Sequence, residues 1–111
     1  MWIASKHGFF SIVRKEDVFH VRARGKGDLD NLRNASGLAE EVQESFPGSD
    51  YPWRLIVGSE SLGKVFEALE DSIDYGNFKG MIGATPDQRD KLDAYHRVWA
   101  EMNRWQESKG R

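Results

Sequence analysis

The stretch from Gly8 to Arg24, Gly-Phe-Phe-Ser-Ile-Val-Arg-Lys-Glu-Asp-Val-Phe-His-Val-Arg-Ala-Arg, constrains the fold more than any other. Phe19, Val21 and Ala23 alternate with His20, Arg22 and Arg24. A period of two places these sets on opposite faces of a sheet. The polar pair Glu16-Asp17 fits the tip of a hairpin. Pairing Arg14 with Phe19 then sets Ile12 against Val21 and Phe10 against Ala23. This register gathers Phe10, Ile12, Phe19, Val21 and Ala23 on one face, with Phe9, Ser11, Val13, His20, Arg22 and Arg24 on the other. A slip of one residue would mix the two sets, so burial selects this pairing.

A first strand is expected from Trp2 to Ser5, turning at Lys6-His7-Gly8. Gly25-Lys26-Gly27 ends the third strand, and Asp28 or Asp30 is expected to cap a short helix carrying Leu29 and Leu32. Residues 38–46 are open between helix and strand; Pro47-Gly48-Ser49-Asp50 favours a hairpin from Val42 into 51–57. In that strand Tyr51, Trp53, Leu55 and Val57 alternate with Arg54 and Ile56. Ser59 or Ser61 caps an amphipathic helix through Leu62, Val65, Phe66, Leu69 and Ile73, stopped at Gly76. Phe78, Met81 and Ile82 are expected to pack a connecting turn. Thr85-Pro86-Asp87-Gln88 reads as the start of a final helix running to about Glu107. Its stripe is Leu92, Tyr95, Trp99 and Met102, widened by Val98 and Trp105.

The expected fold is α+β: an antiparallel sheet of three to five strands, N-terminal strands first, with two long C-terminal helices packed on one face. A length of 111 residues fits a single domain, 1–111, with 108–111 a frayed tail. Four Trp, three Tyr and six Phe supply bulk to its core.

Zero cysteines exclude a disulfide scaffold, a Cys-ligated zinc site and a thiol nucleophile. No apolar run approaches a membrane span, and residues 1–7 lack a signal-peptide core, so a cytoplasmic location is expected. The net charge of −2 excludes bulk polycation behaviour, yet charge is segregated. Residues 1–36 sum to +3, 37–75 to −7 and 76–111 to +2.

Several segments together resemble a family of small bacterial proteins. These are His7-Gly8-Phe9 with Ser11-Ile12-Val13, Val21-Arg22-Ala23-Arg24, Asp28-Leu29, Asp50-Tyr51-Pro52 with Arg54, and Ile73-Asp74-Tyr75 with Asn77-Phe78-Lys79. Tyr95 and Trp99 extend the likeness, while Gly76 stands where a polar residue is expected. The resemblance implies a self-contained domain and carries over no activity and no site.

The chemical motifs are sparse. Gly25-Lys26-Gly27 lacks the third glycine of a dinucleotide loop, since position 30 is Asp, and lacks the Lys-Ser/Thr pair of a phosphate loop. A calcium loop beginning at Asp28 fails at Arg33 and Ala39. His7, His20 and His96 have no ligand spacing, so neither a metal nor a cofactor is expected. There is no Gly-x-Ser-x-Gly nucleophile elbow, and only coincidence would bring His7, Ser11 and Asp50 together. Asp74 near Tyr75 and Lys79, or Asp50 with Arg54, would be the acid–base groups of an enzyme, but Asp74 and Asn77 fit backbone-capping roles better.

The basic strand face remains: His20, Arg22 and Arg24 with Phe9, joined by Arg54 from another strand. Guanidinium forks suit carboxylate and phosphate, and aromatic rings beside them can stack. The plain alternative is that Arg22 and Arg24 pair with acidic residues 40–50, Glu60 or Glu67, or face water. The expected function is a non-enzymatic interaction or regulatory module, binding a protein through this face or the C-terminal helix, with a homodimer through that helix as one form. The alternatives are a binder of single-stranded nucleic acid or an anionic ligand, and an inhibitor carried by a mobile element.

Overall fold

A computed structural model describes residues 1–41 and 43–110. Three strands open the chain: β1 (Trp2–Ala4), β2 (Phe9–Lys15) and β3 (Val18–Ala23). Then come helix α1 (Lys26–Ala35), strands β4 (Gln43–Ser45) and β5 (Trp53–Val57), and helices α2 (Ser59–Asp71), α3 (Phe78–Ala84) and α4 (Leu92–Ser108). The five strands form one antiparallel sheet in the order β1-β2-β3-β5-β4. The chain divides into two compact units, Met1–Asp74 and Tyr75–Arg111.

The hairpin register is the one that burial demands. Arg14 pairs with Phe19, Ile12 with Val21 and Phe10 with Ala23. Glu16 and Asp17 turn the chain with φ of 50° and 36°, the left-handed backbone of a two-residue turn, although neither is glycine or asparagine. The apolar face packs against α1 and α2. Phe10, Ile12, Val21, Ala23, Leu55 and Val57 meet Leu29, Leu32, Leu38, Val65 and Leu69, with Phe19, Trp53 and Leu62 at the margin. Of the two long helices expected, α2 lies on this sheet, where α1 joins it, and α4 belongs to the second unit.

The hairpin of β4 and β5 has the expected sense; Val42, its expected first residue, lies outside the described residues. Arg33 of α1 orders the approach to β4, donating to the carbonyls of Ala39 (2.7 Å) and Glu41 and to Gln43 Oε1 (3.4 Å). At the first turn, Gly8 is held against α1. A Cβ there would overlap the Asp28 carboxyl group, whose Oδ2 accepts the Phe9 N–H at 3.2 Å. Asn31 Nδ2 donates to the His7 carbonyl at 3.0 Å.

Helix ends depart from expectation. Gly25 and Gly58 stand at the N-caps of α1 and α2, and neither Asp28, Asp30, Ser59 nor Ser61 caps by its side chain. Asp28 instead serves β2, and Asp30 pairs with Lys26 (3.0 Å) and Arg33 (3.3 Å). Helix α2 ends at Asp71, before Gly76; Ser72 follows as its C-cap and donates its hydroxyl to the Leu69 carbonyl at 2.6 Å, and Ile73 falls outside the helix and is exposed.

Within the second unit, the segment expected to be a turn is helix α3, capped by Asn77, whose Oδ1 accepts the Gly80 N–H at 2.7 Å. Thr85 does not start the final helix. Its hydroxyl is spent on the Met81 carbonyl (2.8 Å), while its own carbonyl accepts from Gln88 and Arg89 (both 2.9 Å). A 3-10 turn, Arg89–Lys91, intervenes before α4. Ile82 and Tyr95 are buried here, with Phe78 edge-on to Tyr95 at 5.0 Å. The expectation of buried aromatics fails for Trp99 and Trp105, which are 55% and 57% exposed, beside exposed Val98 and Met102. It fails for Trp2 as well, 75% exposed. Amphipathic spacing groups side chains on one face; it does not supply a cover.

Candidate basic sheet face

Alternation along β2, β3 and β5 turns Phe9, Ser11, Val13, His20, Arg22, Arg54 and Ile56 away from α1 and α2. Register sets one row directly across the sheet: Trp2, Ser11, Arg22, Arg54 and Glu44. All five residues of the expected site therefore share this face, with Arg24 just past the end of β3.

The guanidinium groups are not loose. Arg22 Nη2 donates to Ser11 Oγ at 2.6 Å, and its Nε lies 3.4 Å from the Ser11 carbonyl. Arg24 Nη1 donates to the Asp50 carbonyl at 2.9 Å. The guanidinium carbons of Arg22 and Arg24 both lie over the Tyr51 ring, 4.6 and 4.4 Å from its centre. Tyr51 is 3% exposed. Grouping Tyr51 with the inward side chains of β5 is thus corrected. The strand begins at Trp53, so alternation does not reach Tyr51, and its ring sits under the two arginines.

Arg54 is 7% exposed, and each of its three guanidinium nitrogens has a partner. Residues 46–52 fold over it, closed by Phe46 N–H to the Pro52 carbonyl (2.7 Å) and turned at Gly48, whose φ of 85° favours glycine. Arg54 Nε donates to the Tyr51 carbonyl (3.2 Å) and Nη2 to Ser49 Oγ (3.0 Å). Nη1 faces His20 Nδ1 (3.3 Å), and the Phe46 ring stacks 4.6 Å away. The pKa of His20 is lowered from its ordinary value, by burial first and then by Arg54, Lys15 and Arg22; Glu44 opposes them. Arg54 is a positioning group here, and Arg22 and Arg24 are the available ones.

The expected neutralisation by residues 40–50 does not take the form of ion pairs. Among the described residues no carboxylate lies within 4 Å of Arg22, Arg24 or Arg54, and Asp50 meets Arg24 through its backbone carbonyl. Nη1 of Arg22, and Nε and Nη2 of Arg24, have no protein acceptor among the described residues. They can take a carboxylate. At the β1 side of this face Trp2 leans on Phe9, ring centres 6.2 Å apart, and offers a large apolar surface next to those donors.

The other expected groups serve the fold. Ser11 is committed to Arg22, Asp50 Oδ1 accepts from Ser49, and Asp74 pairs with Lys6 at 2.7 Å, a hydrogen bond that lowers the Asp74 pKa from its ordinary value. In the second unit Lys79 lies over Trp99 (5.0 Å) and beside His96 (3.4 Å). Among the described residues no three His, Asp or Glu are grouped as a metal ion requires. Nor is any described helix long and apolar enough to cross a membrane.

Sequence reasoning placed Ser11 on this face and missed Trp2, Phe46, Ser49 and Tyr51 as parts of the arrangement. For Tyr51 the usable signal was its place in a turn three residues before an outward arginine. Compared with family models, curated proteins and solved structures, the chain matches none.

Proposed function

We propose that this protein is an interaction module that docks an acidic segment of a protein partner on the helix-free sheet face. One observation carries the reading: exposed Trp2 and its neighbour Phe9 share that face with the unpaired donors of Arg22 and Arg24. Trp, Tyr and Arg are the residue types that dominate binding energy at protein interfaces. Guanidinium forks suit a carboxylate through paired, charge-assisted hydrogen bonds. Nucleic acid is less favoured. A single strand needs several phosphate contacts, whereas Arg54 is buried and internally bonded and the chain is acidic overall.

A second reading rests on α4. Val98, Trp99, Met102 and Trp105 form a half-exposed stripe suited to a partner helix or to a second copy of this chain.

The test is comparative capture from host extract with three tagged proteins: wild type, Arg22→Ala/Arg24→Ala, and Trp99→Ala/Trp105→Ala. The sheet-face reading expects one partner that is kept by the helix variant and lost by the arginine variant. Loss with the helix variant alone moves the function to α4. Nuclease-sensitive capture replaces the protein partner with nucleic acid.

A further inference from the structure

We propose that a proton on His20 switches the sheet-face site, by breaking the His20–Arg54 contact and releasing Tyr51 from under Arg22 and Arg24. The proposal rests on the docking reading of that face and deepens it by naming its regulation.

A guanidinium group only donates. Arg54 Nη1, 3.3 Å from His20 Nδ1, therefore requires a lone pair on Nδ1 and places the ring proton on Nε2. Protonation converts Nδ1 into a donor, so two donors and two positive charges then face each other across that distance. The charged groups around His20 do not relieve them. Arg22 on its own strand, Lys15 on β2 and Arg54 on β5 are cationic, and only Glu44 on β4 is acidic. These surroundings, together with burial, keep the imidazole neutral near pH 7 and let it charge on acidification.

The consequence passes through Arg54. This one buried side chain holds residues 46–52 by the Tyr51 carbonyl, Ser49 Oγ and the Phe46 ring. When its guanidinium withdraws from a charged His20, those three contacts weaken together. Tyr51 belongs to that segment, and its ring is what Arg22 and Arg24 cover. Releasing the ring frees both guanidinium groups to turn toward a carboxylate ligand. Linkage runs both ways: an acidic partner raises the proton affinity of His20.

The test is solution NMR of the full chain from pH 8 to 5, with and without a tetra-aspartate peptide, whose side chains stay charged over that range. Expected at pH 8 is the Nε2–H tautomer of His20. On acidification the Tyr51 ring signals should shift with the His20 midpoint, and both changes should vanish in His20→Asn, whose Oδ1 is an acceptor without a titration. Peptide affinity should rise roughly fivefold between pH 8 and 5 in the wild type and stay flat in the variant. An Nδ1–H tautomer, or Tyr51 signals that ignore the His20 titration, overturns the switch. If the signals move together and the peptide binds at no pH, the switch stands and the docking reading fails.

Discussion

The apolar face of the sheet and the apolar stripe of α4 carry the same kind of sequence signal with opposite outcomes. Phe10, Val21, Leu55, Leu29 and Leu32 are wholly buried, whereas Val98, Trp99, Met102 and Trp105 are each more than half exposed. Periodicity decides which side chains stand together. Whether they are covered depends on what else the chain brings to that face. On the sheet two helices answer the apolar set of β2, β3 and β5; along α4 only Tyr95 is buried. A wholly buried side chain contributes transfer and packing energy, while a half-exposed Trp keeps much of its surface for another molecule.

The comparison can be broken by substitution and chemical denaturation. Phe10→Ala should cost about 3–5 kcal/mol, as for a large core side chain, while Trp105→Ala should change stability by less than about 0.5 kcal/mol. Equal losses would mean that the α4 stripe supports the fold as the core does. Gly8→Ala should cost about 1–3 kcal/mol, because its Cβ has no room beside Asp28. Gly8→Ala/Asp28→Ala should recover part of that loss if the clash is the cause. Replacing Glu16-Asp17 with Asn-Gly should stabilise the hairpin by about 1 kcal/mol, since both positions hold left-handed backbone.

The smallest expected effect is one of slope. His20 has a folded-state pKa below its ordinary value of 6.5. The unfolded chain therefore takes up its proton first on acidification. The stability that neutral His20 contributes is present above pH 6.5 and is lost as pH falls from there toward the folded value. Denaturation midpoints measured from pH 8 to 5 should decline less steeply for His20→Asn than for the wild type.

Where a rule of period two applied, the fold was legible residue by residue. The register of β2 with β3 and the two faces of β3 follow from alternation plus burial, and the order of three strands, a short helix, two strands and then helices from the turn residues between them. Helix ends were less legible, because Ser72 and Thr85 spend their hydroxyls on preceding carbonyls, a choice that local composition does not encode. The candidate site was half legible. Alternation identified His20, Arg22, Arg24, Arg54 and Phe9 as sharing a face. It could not show that residues 46–52 fold back onto Arg54, a local turn whose path alternation does not set, or that Tyr51 lies under Arg22 and Arg24, more than twenty residues away in the chain.

The most direct measurement is hydroxyl-radical footprinting of the free protein and of its complex with the captured partner. In the free protein Trp2, Trp99 and Trp105 should all oxidise readily, in keeping with their exposure. In the complex Trp2 and Phe9 should be protected while Trp99 and Trp105 keep their rates. Protection of the α4 tryptophans with Trp2 unchanged would contradict the account and move the interface from the sheet to the helix.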